Sequence, residues 1–179
     1  MAQCDLAEVL APAYLEDLEG LPLPELRSKR AACAELETEL SYLRRLVQAR
    51  IDLVMDESER RQLGQAGSSR DELVERLPRI LGEHDRSAGP GRLPAFLAPA
   101  EQAQLDLAAR VEALLPSDRL ASLPSLPAKA LDEVLEALTQ LERQVSTERR
   151  SLHDILDRIQ EELVRRYRSG EATVDTLLG

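Results

Sequence analysis

Residues Glu37–Asp52 read ETELSYLRRLVQARID, and the fold is decided by how this stretch is read. Glu37, Ser41, Arg44, Gln48 and Asp52 follow one another at spacings of 4, 3, 4 and 4. At about 100° per residue these five side chains fall within a sector of roughly 80° on one helix face. Leu36, Leu40, Leu43, Val47, Ile51 and Val54 fall on the neighbouring face, so a polar stripe runs beside an apolar seam. A long helix with one apolar stripe must pair with another helix.

The partner is in the same chain. From Glu37 to Glu142, 105 residues on, the arrangement returns as Glu142, Ser146, Arg149, His153 and Asp157, with Leu141, Val145, Leu152, Leu156 and Ile159 beside them. The correspondence is gapless from residues 21–61 onto 126–166. It includes Leu21/Leu126, Pro22/Pro127, Glu57/Glu162, Arg60/Arg165 and Arg61/Arg166. Leucine and arginine matches arise readily from composition. Matched Ser and Asp are more telling, because neither favours a helix interior. Two copies of one helix, each carrying half of a site, are expected.

Composition agrees. The 179 residues hold no Trp and one Phe, and the Leu, Ala, Glu and Arg content is that of long helices. The fold class expected is all-α: a long antiparallel two-helix coiled-coil hairpin with additional short helices from the N-terminus and the connector. A net charge of −10 argues against direct nucleic-acid or anionic-membrane binding, both of which require a basic face. No apolar run approaches the length of a membrane span. Cys4 and Cys33 have no metal-like spacing and no signal peptide precedes them, so a reduced, cytoplasmic setting is expected.

One elongated helical domain over 1–179 is expected, in five parts. Residues 5–19 form a short amphipathic helix lined by Leu6, Val9, Leu10, Leu15 and Leu18 and interrupted by Pro12; it can pack on the hairpin or meet a partner. The first motif helix covers 24–63, with Pro24 suited to its opening turn and Gly64 beyond its end. The connector, 64–127, is helical too. Ser69 and Glu72 suggest a capping box, 87–94 a loop, and Leu105, Leu107, Val111, Leu114 and Leu115 a further helix starting near Pro99. The second motif helix covers 128–168, and 169–179 form a flexible tail.

The polar stripe is charged without being satisfied on its own helix. Useful intrahelical pairs sit at i,i+3 or i,i+4, and Arg44 meets Leu40, Ser41, Val47 and Gln48 there. Such charges want partners across the groove. The other helix can supply them, pairing Arg44 with Glu142 or Asp157 as coiled-coil flanks do. A ligand with both donors and acceptors can also supply them. Guanine suits these residues: arginine reaches O6 and N7 bidentately, carboxylates accept from N1–H and the exocyclic amine, and Arg or Ser holds phosphate. A twofold-symmetric ligand with two guanines and two phosphates would match two copies of one motif. Without ligand, the pairs Arg44-Arg45 and Arg149-Arg150 would repel across the groove and loosen the hairpin there.

The pattern E-x3-S-x2-R-x3-Q-x3-D, once per long helix, resembles the RsiG-type cyclic di-GMP-binding anti-sigma factors of sporulating actinomycetes. The first copy matches at all five positions; the second has His153 in place of Gln. The resemblance implies that two molecules of cyclic di-GMP bind between the motif helices. Their ligands would be Glu37, Ser41, Arg44, Gln48, Asp52, Glu142, Ser146, Arg149, His153 and Asp157, with Arg45 and Arg150 as adjoining candidates. It further implies capture of a WhiG-type sigma factor, of the flagellar class, away from RNA polymerase, repressing sporulation genes. An enzyme is not expected. There is no glycine-rich phosphate cradle, no metal-ligand cluster and no nucleophile–base arrangement, and His84 reads as a surface residue. The alternative is a coiled-coil structural or adaptor protein without ligand.

Overall fold

In a computed structural model the protein is described over residues 5–65, 72, 75–78, 80, 99–120 and 122–170. Its helices are α1 (Leu6–Val9), α2 (Leu23–Gln62), α3 (Glu101–Glu112), α4 (Ser117–Leu120) and α5 (Ala128–Ser169), with 3-10 turns at Pro12–Leu15 and Leu123–Ser125. The described residues at 72, 75–78 and 80 are helical as well. The fold is the expected all-α hairpin, in which α2 packs against α5 and short extra helices accompany the pair. Ser69, Leu73, Val74, Leu81, His84, the 87–94 stretch and the tail beyond Gly170 lie outside the described residues.

The two long helices are uninterrupted because neither Gly nor Pro occurs between Glu25 and Gln62 or between Ala128 and Ser169. Gly64 stops α2. Its φ of 71° lets its N–H donate to the Arg61 carbonyl while the Gln65 N–H donates to that of Arg60. Those two bonds make a Schellman end, which satisfies carbonyls the helix leaves open. Gly170 stands after α5 with a φ of 77°.

The chain divides into two compact units, residues 1–41 with 146–179 and residues 42–145. In the first unit the start of α2 runs beside the end of α5. Glu37 meets Arg149 while Arg27 meets Tyr167, so one number falls as the other rises and the pairing is antiparallel. Cys33, Leu26 and Leu40 are buried here, as are Leu152, Ile159 and Leu163. The segment 5–19 is two pieces rather than one helix, because Pro12 holds Ala11 extended and opens a 3-10 turn. That turn packs on α2. Tyr14 is buried with Lys29 3.8 Å from its ring centre, and Lys29 Nζ donates to the Tyr14 carbonyl at 2.8 Å.

In the second unit the end of α2 runs beside the start of α5, again antiparallel, with Arg44 meeting Glu142 and Arg61 reaching Leu126 and Leu123. Leu43, Val47, Leu53 and Val54 are buried with Leu131, Leu138 and Val145. Helix α3 adds Ala103, Leu107 and Val111, and Leu115 and Leu123 follow it into the core. Leu105, expected on that face, is 60% exposed instead. It sits two residues from Leu107 on the helix and so points away from the buried row. Arg50 anchors α3 through the Glu112 carboxylate at 2.7 Å, and the same carboxylate accepts from the Ser117 N–H, which opens α4. Arg76 pairs with Asp56, docking the described residues near it onto α2.

Candidate functional site

The motif residues gather into two clusters, each drawing on both long helices and each lying within one unit. In the first, Glu37 Oε1 accepts from Ser41 Oγ at 2.7 Å and from Arg149 Nη2 at 3.0 Å. His153 Nε2 stands 3.4 Å from the same oxygen. Burial pushes the Glu37 carboxyl up, but the hydrogen bonds from Ser41 and Arg149, the Arg149 charge and the His153 contact together hold it below the usual carboxylate range. Ser146 is half-buried. Asp157 is exposed and makes none of these contacts.

In the second cluster Arg44 Nε donates to Glu142 Oε1 at 2.9 Å. Glu142 is the counterpart of Glu37 in the sequence repeat, and Arg44 that of Arg149. The two clusters therefore make the same contact with the roles of the helices exchanged. Gln48 and Asp52 are half-buried beside it, and Arg45 and Arg150 are exposed.

These contacts decide between the two cross-helix partners the sequence offered for Arg44. Arg44 takes Glu142 rather than Asp157, and Arg149 takes Glu37. The expected repulsion is thus not found at Arg44 and Arg149. Antiparallel pairing sets the arginine of one copy opposite the glutamate of the other, so each charge is compensated across the pair. The groups are only part-buried, and pairs of this kind contribute about 0–1 kcal/mol each.

A second set of repeated residues makes more hydrogen bonds, and the sequence showed it without disclosing its purpose. Arg166 donates from Nε to Glu162 at 2.6 Å, from Nη1 to the Leu21 carbonyl at 2.6 Å, and from Nη2 to those of Leu18 and Glu19 at 2.6 and 3.0 Å. Arg61 donates from Nε to Glu57 at 2.8 Å, from Nη1 to the Leu126 carbonyl at 2.8 Å, and from Nη2 to that of Leu123 at 2.7 Å. Leu18 and Leu21 correspond to Leu123 and Leu126 under the same offset. Each clasp fastens the chain entering one long helix to the far end of the other. The identities at 57/162, 60/165 and 61/166 were the available signal.

Among the described residues no group of three His, Cys, Asp or Glu side chains is placed to hold a metal ion. No described helix is long and apolar enough to cross a membrane.

The described residues thus form an all-α hairpin that bears two copies of one polar constellation. Residues 12–81 match the family model described as RsiG-like, so the chain is similar to that family over this stretch. The matched region takes in the N-terminal turn, all of α2 and the whole first motif. It supports an RsiG-type protein and an anti-sigma kind of role. No curated protein matches the chain.

Proposed function

We propose that this protein is a non-enzymatic, cytoplasmic anti-sigma factor controlled by cyclic di-GMP. On this reading two ligand molecules bind through Glu37, Ser41, Arg44, Gln48 and Asp52 on α2 and Glu142, Ser146, Arg149, His153 and Asp157 on α5, with Arg45 and Arg150 adjoining. The loaded form captures a WhiG-type sigma factor and withholds it from RNA polymerase, repressing sporulation genes. The observation that carries the reading is the repeated Arg–Glu pair: Arg149 with Glu37, and Arg44 with Glu142.

The chemistry of that pair suits guanine. A guanine edge presents acceptors at O6 and N7 and donors at N1–H and the exocyclic amine. It can therefore replace the glutamate for the arginine and the arginine for the glutamate in one step, leaving neither group without hydrogen-bond partners. Because each pair contributes about 0–1 kcal/mol, the exchange costs little. Adenine lacks the N1–H, so the same exchange would strand a carboxylate.

Equilibrium titration of the full chain with cyclic di-GMP tests this reading. Saturable binding at two molecules per chain is expected, lost in Arg44→Ala and Arg149→Ala. The same ion pairs also favour a second reading, in which they are simply coiled-coil flanks of a ligand-free adaptor. Absence of binding would leave that reading standing.

A further inference from the structure

The two clusters differ at one position in chemical kind. Gln48 is a neutral amide, and its counterpart 105 residues on is His153. His153 Nε2 faces Glu37 Oε1 at 3.4 Å, and its side chain is 51% exposed, so protons reach it from solvent. An unperturbed imidazole changes charge near pH 6.5, within the physiological range. From α2 the titratable group that reaches it is Glu37, beside the neutral hydroxyl of Ser41. On α5 the charged side chains within a turn are Arg149, Arg150, Asp154 and Asp157.

Resting on the cyclic di-GMP reading above, we propose that His153 makes one of the two half-sites proton-linked: its charged form strengthens binding of the phosphate-bearing ligand there, while the Gln48 half-site does not respond to pH. Two effects of protonation compete. The imidazolium holds Glu37 more firmly, which opposes exchange with a guanine edge. It also cancels the excess negative charge left by Glu37 and Asp157 against Arg149, which favours an anion. The first effect is small, because a half-exposed pair at this separation is well screened. The second grows with the ligand, whose two phosphates per molecule enter a cluster that is otherwise net acidic. The anion term therefore wins, and ligand binding takes up protons by linkage.

The experiment is calorimetric titration of the full chain with cyclic di-GMP between about pH 8 and about pH 6, where an ordinary histidine titrates. Wild type, His153→Gln and His84→Gln are compared in two buffers of different ionisation enthalpy. His153→Gln installs the residue of the first copy, so the helix should tolerate it, and circular dichroism checks that. Affinity of wild type and of His84→Gln should rise about fivefold on acidification, at the low end of ordinary coupling. Both should take up protons on binding, and His153→Gln should do neither. An undiminished pH slope in His153→Gln overturns the inference while leaving cyclic di-GMP binding intact. No binding by any variant at any pH overturns the ligand reading and this inference together.

Discussion

Arg166 donates through Nη1 to the carbonyl of Leu21 at 2.6 Å, from one end of α5 to the residue just before α2. Arg61 does the same to Leu126, just before α5. An arginine in this position satisfies carbonyls that precede a helix and have no partner within it. Its charge is balanced by a glutamate one turn back, Glu162 or Glu57. The internal repeat is thus a repeat of structural function as well as of motif. Each copy brings a polar stripe, an apolar seam and a clasp for the other copy's entry.

Removing a clasp should cost more than removing a motif pair. Arg166→Ala leaves Glu162, 8% exposed, without its buried partner, and releases the carbonyls of Leu18, Glu19 and Leu21. Arg165 still pairs with Glu162, so the loss is that of the buried hydrogen bonds, about 1–3 kcal/mol. Arg44→Ala touches a part-exposed pair and should cost about 1 kcal/mol or less. Urea denaturation of the two variants checks the order, and equal midpoints would show that the clasp does not anchor the fold.

Glu162 should also mark the acid limit of stability. The hydrogen bonds from Arg165, opposed by burial and aided by Arg166, hold its carboxyl at about 2 against an ordinary 4.5. A carboxylate depressed in the folded state contributes stability that is fully present above the unfolded value. That contribution is lost as pH falls from about 4.5 towards about 2, where the folded form takes its proton. Glu162→Gln should therefore be less stable than wild type at neutral pH and lose less between those limits. Thermal melting across that range, with parallel curves for the two proteins, would contradict the assignment.

The sequence disclosed the hairpin because both determinants are periodic. The seam from Leu36 to Val54 and its copy from Leu141 to Ile159 fix which faces meet. The absence of Gly and Pro from Glu25 to Gln62 and from Ala128 to Ser169 lets both helices run to that length. Antiparallel pairing was legible from symmetry, and the contacts of Glu37 and Arg44 agree with it. Other features were not legible because their partners are backbone or distant in sequence. Arg61 and Arg166 stand one turn beyond Glu57 and Glu162, and nothing in a helical wheel reveals a carbonyl beyond the helix. Arg50, which reaches Glu112, is separated from it by 62 positions. The choice of Glu142 over Asp157 for Arg44 required the register, which periodicity alone leaves open.

Guanine selectivity should depend on the aspartates that close each motif. Asp52 and Asp157 stand one turn beyond Gln48 and His153, and on the proposed reading their carboxylates would face the base of the ligand. A carboxylate rewards the N1–H of guanine and finds no such donor on adenine. The double variant Asp52→Ala with Asp157→Ala should lose most of its preference for cyclic di-GMP over cyclic di-AMP, by about 10-fold or more for each good contact removed. Competition binding with the two dinucleotides reads the ratio. A preserved ratio would assign selectivity elsewhere, with Glu37 and Glu142 the next candidates.

The last prediction concerns how a ligand at the motifs would govern a protein partner. The motif arginines are paired with glutamate across the helices, so a ligand would not act by relieving repulsion at Arg44 and Arg149. It would act by replacing one set of cross-helix contacts with another, and the spacing of α2 and α5 that suits a bound dinucleotide need not be the spacing that suits a direct Arg–Glu bond. The ligand strengthens sigma-factor binding only by as much as it prefers the competent spacing, and the sigma factor must then strengthen ligand binding by the same factor. The surfaces available to the partner include Leu105 on α3, which is 60% exposed, and Met55 and Leu63, which are 45% and 73% exposed. Cyclic di-GMP affinity should therefore be tighter with saturating sigma factor than without it, by a factor of about 5–150 if coupling has its usual size. Leu105→Glu should weaken sigma-factor binding while leaving ligand affinity of the free chain unchanged. Equal ligand affinities with and without the sigma factor would mean that the two sites are not linked, and the switch would have to be abandoned even if both molecules bind.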